Sequence, residues 1–64
     1  MTKGQQRIAA ILCRRDNCTF KEAESIIEYT IERMMDVEFD PLECEEIMYE
    51  ELGLEPDYMF DLLM

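Results

Sequence analysis

The sequence predicts an all-α fold, a compact bundle of about four short helices in which residues 1–64 form one domain. Apolar residues recur at intervals of three and four in several segments, as amphipathic helices require. Helix start and stop signals separate those segments. No segment alternates polar and apolar residues over enough positions to predict a strand with a buried face.

The first predicted helix covers about residues 5–15. Ile8, Ile11 and Leu12 share one side of it, which is the side that we expect to face the core. Asp16 and Asn17 favour a turn and end the helix.

The second predicted helix runs from a start signal at Thr19 to about Asp36 and is the spine of the bundle. Thr19 and Glu22 form a capping box, in which each side chain can accept a hydrogen bond from the other residue's backbone N–H. The predicted core side of this helix consists of Phe20, Ala23, Ile27, Thr30, Ile31 and Met34.

The third predicted helix follows residues 37–39, which we interpret as at most a short extended piece. Asp40 is the expected N-cap, Pro41 suits the first helical position, and Glu43 completes a second capping box. Gly53 is typical of the left-handed residue that ends a helix. The apolar side of this helix consists of Cys44, Ile47, Met48 and Leu52.

The fourth predicted helix begins at Pro56 and is apolar on nearly every side. Helices of this kind are normally buried on several sides. We expect Leu62 to close the core together with Tyr58 and Leu63, while Phe60 and Met64 stay partly exposed. The alternative is that this segment exposes an apolar interface for a second copy or a partner, formed by Tyr58, Met59, Phe60, Leu63 and Met64.

The charge of the chain is strongly negative and unevenly distributed. Its 16 acidic and 6 basic residues give a formal net charge of −10. Residues 1–21 contain five bases and one acid, a net charge of +4, whereas residues 22–64 contain 15 acids and one base, a net charge of −14. We therefore expect most of the surface to repel nucleic acid and anionic membranes and to attract basic protein surfaces.

Many of these acids form two rows on predicted helices. The row on the second helix repeats every four residues: Glu24, Glu28, Glu32 and Asp36. The row on the third helix follows a different flank: Glu43, Glu46 and Glu50. Like charges at this spacing weaken a helix by a few tenths of a kcal/mol per pair. Because folding does not explain them, we expect the rows to bind a basic partner surface, although they could also serve only as a solvated, solubilising face.

Several kinds of chemistry are not expected. The chain has no histidine, which excludes a Ser-His or Cys-His nucleophilic pair within one chain. Cys13 and Cys18 are separated more widely than the tight pairs of typical zinc modules. We expect them, with Cys44, to be free thiols that pack as small apolar groups in a reducing cytoplasm.

A calcium loop is not expected either. Asp36, Glu38 and Asp40 imitate the first ligands of an EF-hand, but Pro41 replaces its glycine and Ile47 replaces its bidentate acid. With no glycine-rich loop or evident cleft, we predict a protein that is not an enzyme and has no catalytic residue, cofactor or metal site.

Two alternatives to a basic-surface binder remain. The apolar, methionine-rich C-terminal helix could make the protein a small homo-oligomer or adaptor. The basic first helix, with Lys3, Arg7, Arg14 and Arg15, could contact nucleic acid, but four charges are few beside the net −14 of residues 22–64. We therefore expect no direct nucleic-acid binding and no membrane binding.

The segments RRDNCTFKEAESIIE and DPLECEEIMYEELGLEPDYMFDLL resemble those of small acidic helical proteins encoded by phages and prophages of Gram-positive bacteria. The resemblance rests on a D-x-C-[ST]-x-x-E-A turn at residues 16–23 and an L-G-L-E-P-D-Y ending at residues 52–58. It implies a phage-encoded accessory protein in the bacterial cytoplasm, where short acidic proteins can inhibit a host or defence protein. It implies no activity, cofactor or binding residue.

Overall fold

Four helices form most of the computed structural model, which describes residues 1–63. In chain order they are α1 (Lys3–Asp16), α2 (Phe20–Asp36), α3 (Pro41–Ile47) and α4 (Met59–Leu63). A π-helical turn (Met48–Leu52) continues α3 directly, and a 3-10 turn (Pro56–Tyr58) precedes α4. No strand occurs among the described residues, and the predicted all-α bundle is confirmed.

The first helix begins two residues earlier than predicted because Thr2 caps it. The backbone N–H of Gln5 donates to Thr2 Oγ1 at 3.1 Å, and the N–H of Thr2 donates to Gln5 Oε1 at 3.2 Å. This reciprocal pair is a capping box. The T-x-x-Q pattern of residues 2–5 is the sequence signal that could have predicted it, although a glycine inside the pattern weakens that signal.

The predicted capping box of α2 is confirmed. The N–H of Glu22 donates to Thr19 Oγ1 at 3.1 Å, and the N–H of Thr19 donates to Glu22 Oε1 at 3.0 Å. The hydrogen bond from the Thr19 backbone lowers the pKa of Glu22. The expectation that Phe20 faces the core is wrong, since its side chain is half exposed. Side chains point back toward the N-terminus of their helix, so the first residue projects beyond the packed turns.

The connection after α2 is a tight turn and not the extended piece that the sequence indicated. Glu38 and Phe39 both have left-handed backbones, with φ of 53° and 56°. The N–H of Glu38 donates to the carbonyl of Met35 at 3.0 Å, and that of Phe39 donates to the carbonyl of Met34 at 2.9 Å. These two bonds are those of a Schellman motif. The motif ends α2 without the glycine that usually occupies its left-handed position.

The start of α3 is only partly as predicted. Asp40 is the N-cap, and its side chain accepts a hydrogen bond from the N–H of Glu43 at 3.1 Å. The second half of the predicted capping box is absent because the N–H of Asp40 donates to the carbonyl of Val37 instead, at 3.1 Å. Gly53 ends the π-helical turn with φ of 65°, as its left-handed preference predicts.

All four helices contribute side chains to a single core around α2. α1 packs against α2 and α4, and α3 with its π-helical turn packs against the other part of α2. Thr30 is the buried polar residue of this core, and its hydroxyl donates to the carbonyl of Ile26 at 2.7 Å. The buried apolar residues are Ile8, Ala9, Leu12, Ala23, Ile27, Met34, Cys44, Ile47, Met48, Leu52, Leu54 and Leu62.

α4 lies with its backbone against the first turns of α1. A Cβ added at Gly4 would be 2.7 Å from the Cα and 2.8 Å from the carbonyl carbon of Asp61. Nε2 of Gln5 donates to the carbonyl of Leu62 at 2.9 Å, and Arg7 forms an ion pair with Asp61 at 3.2 Å. The absence of a side chain at Gly4 therefore permits the close approach of the two helices.

Candidate partner-binding surfaces

The acidic row of α2 lies largely in solvent. Glu28, Glu32 and Asp36 are exposed, and we refer to these three residues as the α2 acidic face. Glu24 is partly buried because the row drifts around the helix at about 100° per residue, and its first member lies near the core boundary. Helical periodicity predicts this drift from the sequence, because it places Glu24 beside the predicted core side and the later members of the row further out.

None of the three carboxylates of the α2 acidic face is in an ion pair within residues 1–63. The four pairs in that part of the chain use other acids: Asp16, Glu50, Glu51 and Asp61. Three of the six bases, Arg7, Arg15 and Arg33, are occupied in those pairs. The α2 acidic face is thus an exposed anionic strip whose charge the described chain does not neutralise.

Large apolar side chains flank this strip. Tyr29 and Met35 are 54% and 57% exposed, and both occupy the solvent side of α2 beside Glu28, Glu32 and Asp36. Aromatic residues and methionine are enriched in protein interfaces relative to other surfaces. The solvent side of α2 therefore offers both charge and apolar contact area.

The acidic row of α3 is interrupted at its C-terminal end. Glu43 and Glu46 are exposed, but Glu50 accepts a hydrogen bond from Arg33 Nη1 at 3.4 Å. The same atom donates to Glu51 Oε1 at 2.7 Å, so Arg33 links α2 to the π-helical turn. The hydrogen bond that Arg33 donates to Glu51 is the main cause that raises the pKa of Arg33. Glu50 is therefore less available to a partner than Glu43 and Glu46.

The outer side of α3 and its π-helical turn carries two of the most exposed apolar residues. Leu42 is 74% exposed and Tyr49 is 76% exposed. Leu42, Glu45, Glu46 and Tyr49 follow the three- and four-residue spacing of one helix face. This second mixed surface was not predicted, because the core side and the acidic row that the sequence indicated for this helix include neither Leu42 nor Tyr49.

The predicted C-terminal interface residues differ in their exposure. Tyr58 and Met59 are partly buried against the core, while Phe60 is 75% exposed. Leu63 is exposed rather than closing the core as expected, because Leu62 occupies the inward position on this short helix. Met64 lies outside the described residues.

A surface groove, which we call the α4 groove, lies between α4 and the beginning of α3. Its volume is about 260 Å³, and its lining is mainly apolar: Phe39, Pro41, Cys44, Glu45, Pro56, Met59 and Leu63. Burial is the main cause that raises the pKa of the Cys44 thiol. The groove could not be predicted from the sequence because it combines three segments that only the tertiary structure brings together.

The cysteines have the surroundings of structural thiols. All three are free, with Cys44 buried and Cys13 and Cys18 partly buried. Desolvation, followed by the neighbouring Cys13, raises the pKa of Cys18. A raised pKa keeps a thiol protonated and therefore a weak nucleophile. Within residues 1–63, no group of three or more Cys, Asp or Glu side chains is arranged to hold a metal ion.

Comparisons of the chain with protein-family models, curated proteins and solved structures found no match. Among residues 1–63, none of the helices has the length and apolar character that crossing a bilayer requires.

Proposed function

We propose that this chain is a non-enzymatic interaction protein whose α2 acidic face binds a basic surface of a partner protein. The observation that carries the proposal is the exposure of Glu28, Glu32 and Asp36 with no ion pair inside the described chain. Uncompensated charge of one sign on a helix favours association with a surface of the opposite sign.

The spacing of the carboxylates supports a more specific form of this proposal. Residues four apart on a helix are separated by about 6 Å along its axis, so the α2 acidic face is a linear anionic array. A groove that binds the phosphates of nucleic acid would also accept such an array. The partner that we propose is therefore a nucleic-acid-binding protein, and the acidic face would compete with its nucleic acid.

The cellular context of the proposal comes from the resemblance to phage-encoded acidic proteins. In that context the partner is a host or defence protein in the cytoplasm of a Gram-positive bacterium, and the chain is an accessory factor that inhibits it. The exposed Tyr29 and Met35 beside the acids support a protein partner, because they add apolar contact to the electrostatic attraction.

The test is a capture experiment with the tagged protein and a lysate of a Gram-positive host. The variant Glu28→Lys/Glu32→Lys reverses two charges of the α2 acidic face. The matched control Glu43→Lys/Glu46→Lys changes the net charge equally on α3. We expect one specific protein that the wild type and the control retain and the α2 variant loses. Release is expected at about 0.3–0.5 M NaCl, where the screening length falls to about 4–6 Å.

Two further measurements complete the test. The captured protein, once purified, should lose nucleic acid when the wild-type chain is added and keep it when the α2 variant is added. Equal losses of the partner by the α2 variant and the α3 control would show that binding does not depend on the α2 acidic face in particular. Retention of the partner by the α2 variant through high salt would refute the proposed role of this face.

A second candidate function is a small homo-oligomeric adaptor that associates through its C-terminal helix. The observation that favours it is the 75% exposure of Phe60, a large apolar side chain that lies mostly in solvent. Sedimentation equilibrium at several protein concentrations distinguishes the two functions. A dimer that Phe60→Ser dissociates would support the adaptor, whereas a monomer at all concentrations would exclude it.

A further inference from the structure

The α4 groove is shaped to receive one side chain. An apolar protein cavity of about 150 Å³ holds a benzene molecule, and the groove has a volume of about 260 Å³. Its walls are apolar side chains from both sides, with Phe39 and Cys44 opposite Met59 and Leu63. A single aromatic or branched aliphatic side chain therefore matches the groove in both size and polarity.

Every charged residue of the segment that lines the groove is acidic. Residues 34–64, which supply every lining residue, contain no lysine or arginine. The same segment contains eleven acids: Asp36, Glu38, Asp40, Glu43, Glu45, Glu46, Glu50, Glu51, Glu55, Asp57 and Asp61. Glu45 lines the groove directly, and six exposed acids are chain neighbours of lining residues: Glu38, Asp40, Glu43, Glu46, Glu55 and Asp57.

The one ion pair on α4 does not neutralise this rim. Arg7 binds Asp61 at 3.2 Å. At about 100° per residue, Asp61 lies on the side of α4 away from Met59 and Leu63. The ion pairs among residues 1–63 use Asp16, Glu50, Glu51 and Asp61, so none of them involves Glu45 or the acids that neighbour the lining residues.

We propose that the α4 groove binds a basic amphipathic segment of a protein partner, which inserts one bulky apolar side chain between Phe39 and Leu63 and places lysines or arginines against the rim acids. This inference rests on the proposed function, since both require a basic partner. It adds a second contact surface, separate from the α2 acidic face. Charge selects this occupant over a second copy, because each copy has a formal charge of −10 and two copies repel one another.

The test uses two fluorescent, lysine-rich helical peptides that differ only at one central position, tryptophan or alanine. Their affinities for the full chain are measured by fluorescence anisotropy at low and moderate salt. For the wild type we expect the tryptophan peptide to bind about tenfold more tightly, because it buries an aromatic ring. Both peptides should weaken as salt rises, since their lysines contact the rim.

Matched variants locate the effect. Leu63→Glu places a carboxylate in the wall of the groove, and Leu42→Glu makes the same chemical change at an exposed residue of α3 that does not line the groove. We expect the tryptophan preference to disappear in Leu63→Glu and to persist in Leu42→Glu. Circular dichroism and urea unfolding verify that both variants are folded. In a nitrogen-15 NMR titration, the amide signals of Phe39, Cys44 and Met59 should shift with the tryptophan peptide.

Several outcomes would overturn the inference. If the wild type binds both peptides with equal affinity, or binds neither, the groove does not receive an apolar side chain of the partner. If Leu63→Glu keeps the preference for the tryptophan peptide, the tryptophan side chain binds outside the groove. A concentration-dependent dimer that Leu63→Glu abolishes and Leu42→Glu retains would identify a second copy as the occupant instead.

The same assay separates this inference from the proposed function. Glu28→Lys/Glu32→Lys should weaken both peptides by a similar factor and leave the tryptophan preference unchanged. If Leu63→Glu has no effect while the α2 variant loses its captured partner, the groove inference fails and the proposed function stands. If the groove binds the tryptophan peptide while the α2 variant retains its captured partner, the role of the α2 acidic face fails instead.

Discussion

On one side of α4 the backbone lies directly against α1, whereas on the other side Met59 and Leu63 line an open groove. The closed side combines three kinds of contact: the close approach at Gly4, the hydrogen bond from Gln5 and the ion pair of Arg7. On the open side, Leu63 and the neighbouring Phe60 are exposed, and Met59 is only partly buried against the core.

The difference shows which contacts hold this helix in place. A helix of five residues is not stable alone in water, so tertiary contacts must position α4. The buried Leu62 and the contacts with α1 supply that positioning. The exposed side chains of Phe60 and Leu63 are therefore less important for holding α4 in place and are available for a partner.

The largest effect is expected from Leu62→Ala, which removes the side chain that anchors the closed side in the core. We expect a loss of about 3 kcal/mol, from lost apolar burial and the cavity left behind. A 64-residue chain has a total stability of only about 3–10 kcal/mol, so α4 should detach or the chain unfold. Urea unfolding followed by circular dichroism measures the loss. Leu63→Ala is the matched control on the open side, and a loss there as large as at Leu62 would contradict the comparison.

The next effect is expected from Gly4→Ala on the closed side. The added methyl group overlaps the backbone of Asp61, and the helices must separate. Overpacking against backbone should outweigh the better helix propensity of alanine, with a net loss of about 2 kcal/mol. Thermal unfolding measures the loss of stability, and Gln6→Ala is the control at an exposed position of the same helix. If Gly4→Ala instead stabilises the chain, α4 does not lie against α1 at this point.

A smaller loss is expected from Gln5→Glu, which removes one bond of the closed side and keeps the cap of α1. The carboxylate can still accept from the N–H of Thr2, but it cannot donate to the carbonyl of Leu62. We expect a loss of about 1 kcal/mol at neutral pH. The loss should shrink in acid, because a protonated carboxyl can donate again. Gln6→Glu is the exposed control, and a loss at Gln5 that does not depend on pH would argue against this contact.

A gain in stability is expected from Glu38→Gly, beside the wall of the open side. Glycine adopts the left-handed backbone of this position without strain, which stabilises the folded chain. Its greater conformational entropy in the unfolded chain offsets only part of this gain, so we expect a net gain of about 0.5–1 kcal/mol. Glu46→Gly on the exposed side of α3 should do the opposite and lose about 1 kcal/mol. Urea midpoints of the two variants should therefore move in opposite directions. Equal losses would show that Glu38 is not left-handed in solution.

The smallest effect is expected from Phe60→Ser on the open side. Because the side chain is exposed, we expect a change within about 0.5 kcal/mol of the wild type. The free energy of unfolding should not depend on protein concentration for the wild type or for Phe60→Ser. A loss above about 1 kcal/mol that grows with concentration would mean that a second copy covers Phe60.

Much of the secondary structure could be predicted because its signals are local. The capping pattern at Thr19 and Glu22, the Asp40-Pro41 start and the stop at Gly53 each depend on residues within one or two turns. The turn at Glu38 and Phe39 could not be predicted in the same way, since neither residue prefers a left-handed backbone. The hydrogen bonds to Met34 and Met35 impose that conformation.

The candidate sites were only partly predictable for a related reason. Helical periodicity places Glu28, Glu32 and Asp36 away from the core without any tertiary information. It cannot show that Arg33 turns toward Glu50 and Glu51 on another helix, 17 and 18 residues further along the chain. The groove is even less predictable from local patterns, because its lining residues lie as far apart in the chain as Phe39 and Leu63.

The sequence by itself determined that this chain is helical, where most helices begin and end, and which side of α2 is acidic. Those properties follow from caps, periodicity and charge, which act within a few residues. Only the tertiary structure decided which side of α4 is closed and which is open. That choice depends on Gly4 and Gln5 meeting the backbone of Asp61 and Leu62 across the whole length of the chain. A contact between such distant residues leaves no local pattern in the sequence.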